Sequence, residues 1–215
     1  LKLKLDSRRR QQAEAADNLQ KADRERSAAA QRIHILEDLE RNMDGYQQSV
    51  KAVMRAAGGG RLRGIIGPVA GIITVEKGYE TAIETAPGFA LQNIVVEDPG
   101  CARAAIGLLK DERAGRATFL PLSTIRGSLL EEPSLENCPG VVGVAASLCS
   151  CEEEYAGVIN YVLGRTAIAE DSDSAVAIAR PFRQRCRTVK LDGQAENSGG
   201  ALTGGRPAKK TGHYH

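Results

Sequence analysis

Five cysteines, three histidines and the acidic pairs Glu97-Asp98 and Glu170-Asp171 are the residues of this 215-residue chain that are candidates for chemistry. Cys149-x-Cys151 sets two thiols side by side, as a soft metal would need, but no second Cys pair accompanies them. Cys101, Cys138 and Cys186 are isolated and read as small apolar residues. No histidine falls between His34 and His213, so a His-based triad is excluded over that stretch. Glu97-Asp98 and Glu170-Asp171 could act as general acid and base. Each precedes a helical pattern, however, where capping and the helix dipole account for it. Neither a catalytic residue, a metal nor a cofactor is expected.

Two glycine clusters and one set of cations are better placed to bind than to react. Gly58-Gly59-Gly60 precedes Arg-Leu-Arg and reads as a helix stop, not as a dinucleotide fingerprint. Gly199-Gly200 and Gly204-Gly205 flank a short apolar stretch, and paired glycines let two backbones approach closely. They form either a flexible tail after the domain or the candidate dimer interface, through an edge strand that adds to a partner's sheet. The stretch from Gly205 to Thr211 superficially resembles a phosphate loop but has no Gly before Lys210. Arg61 and Arg63 on one side, with Arg206, Lys209 and Lys210 on the other, would form one phosphate-holding patch if the two segments met, and are otherwise ordinary solvated surface charge. No aromatic residues interleave them, so DNA contact there would be non-specific and salt-dependent.

These residues are carried by two regions of different periodicity. Residues 1–57 contain no Pro and one Gly, with 12 Lys and Arg against 9 Asp and Glu mixed along a solvated surface. Ala15, Leu19, Ala22, Ala29, Ile33 and Leu36 follow one 3-4 register, and Leu39, Met43, Tyr46, Val50, Val53 and Ala57 a second. The three-residue slip between them reads as a stammer in one helix of about 85 Å, whose length favours a coiled-coil arm over the buried face of a bundle helix. From residue 58 onward Gly-rich turns and β-branched runs announce an α/β domain. Aromatics are 4% with no Trp, so its core must be aliphatic. No run of 18 apolar residues is present to span a membrane, no leader-like apolar stretch opens the chain, and an odd cysteine count suits a reducing cytoplasm.

The α/β region contains an internal repeat. Gly64, Gly67, Tyr79, Ile83 and Gly88 recur 76 residues later as Gly140, Gly143, Tyr155, Ile159 and Gly164. The acidic pairs follow at an offset of 73, and Leu120 matches Leu191 at 71. Each copy predicts a helix near the Tyr, a strand (Leu91–Glu97 in the first), a helix after the acidic pair (Ala102–Lys110) and a closing strand (Ala117–Leu120). Pro181 should break or end the corresponding helix of the second copy.

Tyr79-Glu80-Thr81-Ala82-Ile83-Glu84, then Leu91-Gln92-Asn93-Ile94-Val95-Val96-Glu97-Asp98 and Gly115-Arg116-Ala117-Thr118-Phe119-Leu120-Pro121-Leu122, resemble the first half of the SMC hinge domain. Val189 to Gly193 and Asn197 to Gly205 resemble its closing strand and Gly-rich motif, and Pro87 and Cys149 depart from its pattern. The resemblance implies a coiled-coil arm (1–57), a dimerisation domain (58–205, halves 61–127 and 128–205) and a tail or truncated start of a return arm (206–215). It further implies a cytoplasmic, nucleoid-associated homodimer that joins two arms and contacts DNA. The helix that would pair with the arm, and the ATPase heads such proteins carry, are expected outside this sequence. Two other classes remain open: a small-molecule-binding regulatory domain or enzyme on a helical stalk, and a scaffold unconnected with DNA.

Overall fold

The computed structural model describes residues 2–42, 46–131, 135, 137–182, 186–196 and 202–203. Helix α1 (Lys2–Asn42) is free of Pro and Gly, and its residues 8–30 are all exposed. The single helix expected over 1–57 is not formed. The chain reverses after α1, and α2 (Gln48–Gly58) runs back along it, so that Arg32 and Leu36 lie against Gly58. The second apolar register explains the break. Val50, Val53, Met54 and Ala57 are buried with Leu62, Ile65 and Ile94 in the body's own core, not against a coiled-coil partner. The three-residue slip between Leu36 and Leu39 falls inside α1 and does not mark the break, which comes after Asn42.

Two halves follow. The first comprises β1 (Ile65–Pro68), β2 (Thr74–Val75), α3 (Glu80–Thr85), β3 (Ile94–Val96), α4 (Pro99–Asp111) and β4 (Phe119–Pro121). Its sheet has the order β1-β3-β4, with β1 antiparallel to β3 and β4 parallel to it across the α4 crossover. The strand expected over Leu91–Glu97 is shorter because Gly88–Gln92 coils into a 3-10 turn, closed by Ala90 N–H on Pro87 O and Asn93 N–H on Ala90 O. The second half comprises β5 (Val141–Val144), β6 (Cys149–Ser150), α5 (Ala156–Leu163), β7 (Thr166–Ala169), α6 (Ser172–Phe182) and β8 (Arg187–Lys190). It then adds β9 (Ala195–Glu196) and β10 (Leu202–Thr203) to give the order β10-β9-β8-β7-β5. Pro181 stands at the last turn of α6, where it ends the helix.

The repeat is visible in backbone detail. Gly64 and Gly140 both adopt positive φ (68° and 77°), and each carbonyl accepts from the acidic pair's first N–H, Glu97 or Glu170, at 2.9 Å. A Cβ on Gly64 would collide with Cys101, and one on Gly140 with Ser174, so the same close approach is built twice. One alignment is corrected. Leu122 N–H bonds Val96 O and Leu191 N–H bonds Ala169 O, so the residue equivalent to Leu191 is Leu122, not Leu120. The halves join where β2 pairs antiparallel with β6. There Thr74 faces Ser150, its own repeat-mate, so the pseudo-two-fold axis passes between them.

Strand pleating divides the interior. Val95 and Ile168 face a central core shared by both halves, with Val69, Ile83, Val158, Leu163 and Val189. Their neighbours Ile94 and Val96 point to the α2–α4 layer, and Ala167 and Ala169 to α6. Arg187 reaches across to Ala86 O at 2.8 Å, tying β8 to the end of α3.

Both crossover helices are capped as their sequence suggests. Asp98 accepts Cys101 N–H at 2.9 Å, with Pro99 in the first helical turn, and Asp171 accepts Ser174 N–H at 2.8 Å. Those backbone bonds hold both carboxyls below the usual aspartate range. A depressed folded pKa means that the contribution to stability is complete above the unfolded value near pH ~3.9 and is lost as pH falls through the folded value. The thermal midpoint should therefore fall below pH ~4, and an Asp98→Asn/Asp171→Asn variant should show a shallower acid limb. An acid limb unchanged in slope would remove the caps from this account.

Candidate functional site

Helix α1 meets the body beside the C-terminus of α2, where Arg32 bonds Gly58 O. Gly59 N–H closes on Arg55 O, Gly60 N–H on Ala57 O, and Arg61 N–H on Ala56 O at 2.8 Å. The chain then leaves through Arg61-Leu62-Arg63. Leu62 is buried, so the alternating side chains of Arg61 and Arg63 are turned to solvent. Arg61 Nη1 lies 2.8 Å from Glu112 Oε1, just past the end of α4. Both partners are largely exposed, so the pair orients Arg61 more than it stabilises the fold.

This contact brings to the junction cations that sequence inspection passed over. Lys110 closes α4, and Arg113 and Arg116 follow in the turn to β4, all exposed. Arg113 has positive φ (50°), which redirects the chain there. Lys110-Asp-Glu-Arg113-Ala-Gly-Arg116 was a visible signal, but only the fold places it beside Arg61. Arg206, Lys209 and Lys210 lie outside the described residues, as do Gly199, Gly200, Gly204 and Gly205.

What those glycines flank is described. β10 pairs only with β9 (Leu202 opposite Glu196, Thr203 opposite Ala195), so among the described residues it is the terminal strand of its sheet. A second edge lies in the first half. By the repeat, β4 corresponds to β8, yet β8 is covered by β9 and β10 whereas β4 has no strand beyond it among the described residues. Thr118 O and Leu122 N–H turn inwards to β3. Phe119, between them, therefore directs its N–H and C=O outwards, and Pro121 occupies the next outward position, where its missing N–H costs no β3 bond. The opposite edge of that sheet differs, because β1 is buried throughout and packs under α1 and α2.

The remaining chemical candidates are placed but not assembled. Cys149 lies in β6 and Cys151 just after it, both half-buried against the central core. Burial pushes the Cys149 thiol up to about 11, and Cys101 and Cys151 are raised for the same reason. Thiols so shifted are protonated at neutral pH and poor nucleophiles. Among the described residues no three His, Cys, Asp or Glu side chains gather as metal ligands, and no helix is long and apolar enough to cross a membrane.

Comparison with known proteins gives one family. The family model described as the SMC proteins' flexible hinge domain matches residues 62–179. The chromosome partition protein Smc of Halothermothrix orenii is 42% identical over 175 residues, or 80% of this chain. That of Bacillus subtilis is 37% identical over 213 residues, or 98% of this chain. The chain spans only 15% and 18% of those two proteins. Among solved structures, the Geobacillus stearothermophilus SMC hinge domain, crystallised as an asymmetric dimer, matches with a TM-score of 0.74 at 37% identity, over 88% of this chain and 78% of that one. The Pyrococcus furiosus hinge with an extended coiled coil matches at 0.61 and 28%, over 90% and 66%.

Proposed function

Because this chain belongs to the SMC flexible hinge domain family, we propose that it is the homodimerising joint of a chromosome partition protein, with α1 as the root of an arm. The body begins at α2 in this reading, residues 206–215 open the return arm, and the joint itself does no catalysis. The whole protein, nucleoid-associated in the cytoplasm, would carry its ATPase elsewhere.

The unequal edges of the two half-sheets carry the reading. β4 lacks the cover that β9 and β10 give β8, and β10 ends its own sheet among the described residues. In a two-fold dimer, β10 of one copy adds to β4 of the other, and the same contact recurs at the second pair of edges. The result is a closed ring with a joint on each side. Backbone bonds supply the affinity, and the glycines beside β10 permit the approach. Sedimentation of the chain over a dilution series tests this. A dimer that persists to low concentration supports the joint, and a monomer throughout refutes it.

DNA contact is the second part of the proposal, supported by Arg61 and Arg63 projecting at the arm root beside Lys110, Arg113 and Arg116. Affinity for a labelled duplex should be indifferent to sequence and fall steeply with salt, by a slope of about 0.9 per phosphate neutralised. Arg61→Ala/Arg63→Ala should weaken binding and lower that slope by roughly 1 to 2. An unchanged slope in fluorescence anisotropy titrations would place any DNA contact elsewhere.

A further inference from the structure

We propose that Arg32 and Gly58 form a latch that sets the direction of the arm, so that α1 swings as a lever when the latch opens. A helix leaves its last carbonyls without partners. At the end of α2, Ala56 and Ala57 accept from the chain that follows, whereas Gly58 O accepts from α1, through Arg32 Nε at 3.2 Å and Arg32 Nη2 at 3.1 Å. The same guanidinium lies over Gly60. One turn on, Ile35 is 1% exposed in the α2–α4 layer, and Leu36 rests where a Cβ on Gly58 would come within 2.6 Å of it.

Towards the N-terminus of α1 the described side chains make no such packing contact. Residues 8–30 are all exposed. A helix reaching some 36 Å beyond Arg32, at about 1.5 Å per residue from residue 8, is thus steered by the contact made at Arg32, Ile35 and Leu36. The latch also ends directly at Arg61, so the arm's direction is coupled to the junction that carries the cations. Fork-like donation through two nitrogens needs a guanidinium, which Lys cannot replace.

The test is the distance between spin labels placed by unnatural amino acids at Asn18 in α1 and Lys77 in the body, in the full chain diluted with unlabelled chain. The parent should give one narrow distribution. Arg32→Ala and Arg32→Lys should broaden it. Gly58→Ala should shift it by several ångströms while leaving the body's thermal midpoint equal or higher, because Ala favours the helix and only Leu36 is displaced. Adding Leu36→Ala to Gly58→Ala removes the collision and should return the distribution towards that of the parent. A parent distribution that is already broad, or variants indistinguishable from a narrow parent, would overturn the latch. A lowered midpoint in Gly58→Ala, without recovery in the double variant, would also overturn it, since Gly58 would then serve folding alone.

Discussion

Replacing Gly200 and Gly204 together by Val should turn the proposed dimer into a monomer at concentrations where the parent remains associated. These positions bracket Leu202–Thr203, the terminal strand of the five-stranded sheet. A β-branched side chain on either side of an edge strand holds an incoming backbone away, and bonds at that edge require close approach. A weakening of at least 100-fold, about 2.7 kcal/mol, is expected if both joints are affected. Sedimentation velocity over a dilution series reads the result, with far-UV circular dichroism to confirm that the fold survives. The complementary change, Phe119→Pro, removes an outward N–H from β4 while sparing the inward bonds of Thr118 and Leu122. It should monomerise the chain as well. If both variants sediment as the parent does, association through the sheet edges is wrong.

Gly127→Ala should be strongly destabilising. A Cβ there would fall inside the backbone of Asn160–Tyr161 and against Gly157 O, on the surface of α5. Backbone cannot rotate away as a side chain can, so either α5 or the connector must move. The connector is held just beyond, by Leu130 N–H on Gly164 O at 2.8 Å, so displacement spreads into the second half. A loss of about 3 kcal/mol is expected, lowering the thermal midpoint by roughly 6–12 °C for a chain of this size. Gly107→Ala is the control. Gly107 lies inside α4, where an added Cβ would meet nothing within 4 Å, and the change should stabilise by about 0.5–1 kcal/mol. Equal midpoints for the two variants would show that the connector yields freely.

Much of this architecture could be read from local pattern. Asp98 and Asp171 announced their caps because an acidic residue before an amphipathic stretch meets free N–H groups whatever the surroundings. The duplication was legible because Gly64 and Gly140 answer the same backbone need, and a repeated need leaves a repeated residue. The change of character at residue 58, and the lack of any histidine between residues 35 and 212, are properties of composition.

Tertiary structure alone decided the rest. The apolar stripe of Val50, Val53 and Met54 has the same spacing whether it faces a coiled-coil partner or a core, so the break before α2 could not be read from periodicity. Leu120 and Leu122 are equally apolar and two apart, the strand period, so only the bond of Leu122 to β3 identified the match with Leu191. Arg32 on Gly58 and Glu112 on Arg61 join residues far apart in the chain, and only the sheet order leaves β4 at an edge among the described residues. A residue's type and spacing state what partner it needs; which distant residue meets that need depends on how the helices and sheets pack around the shared core.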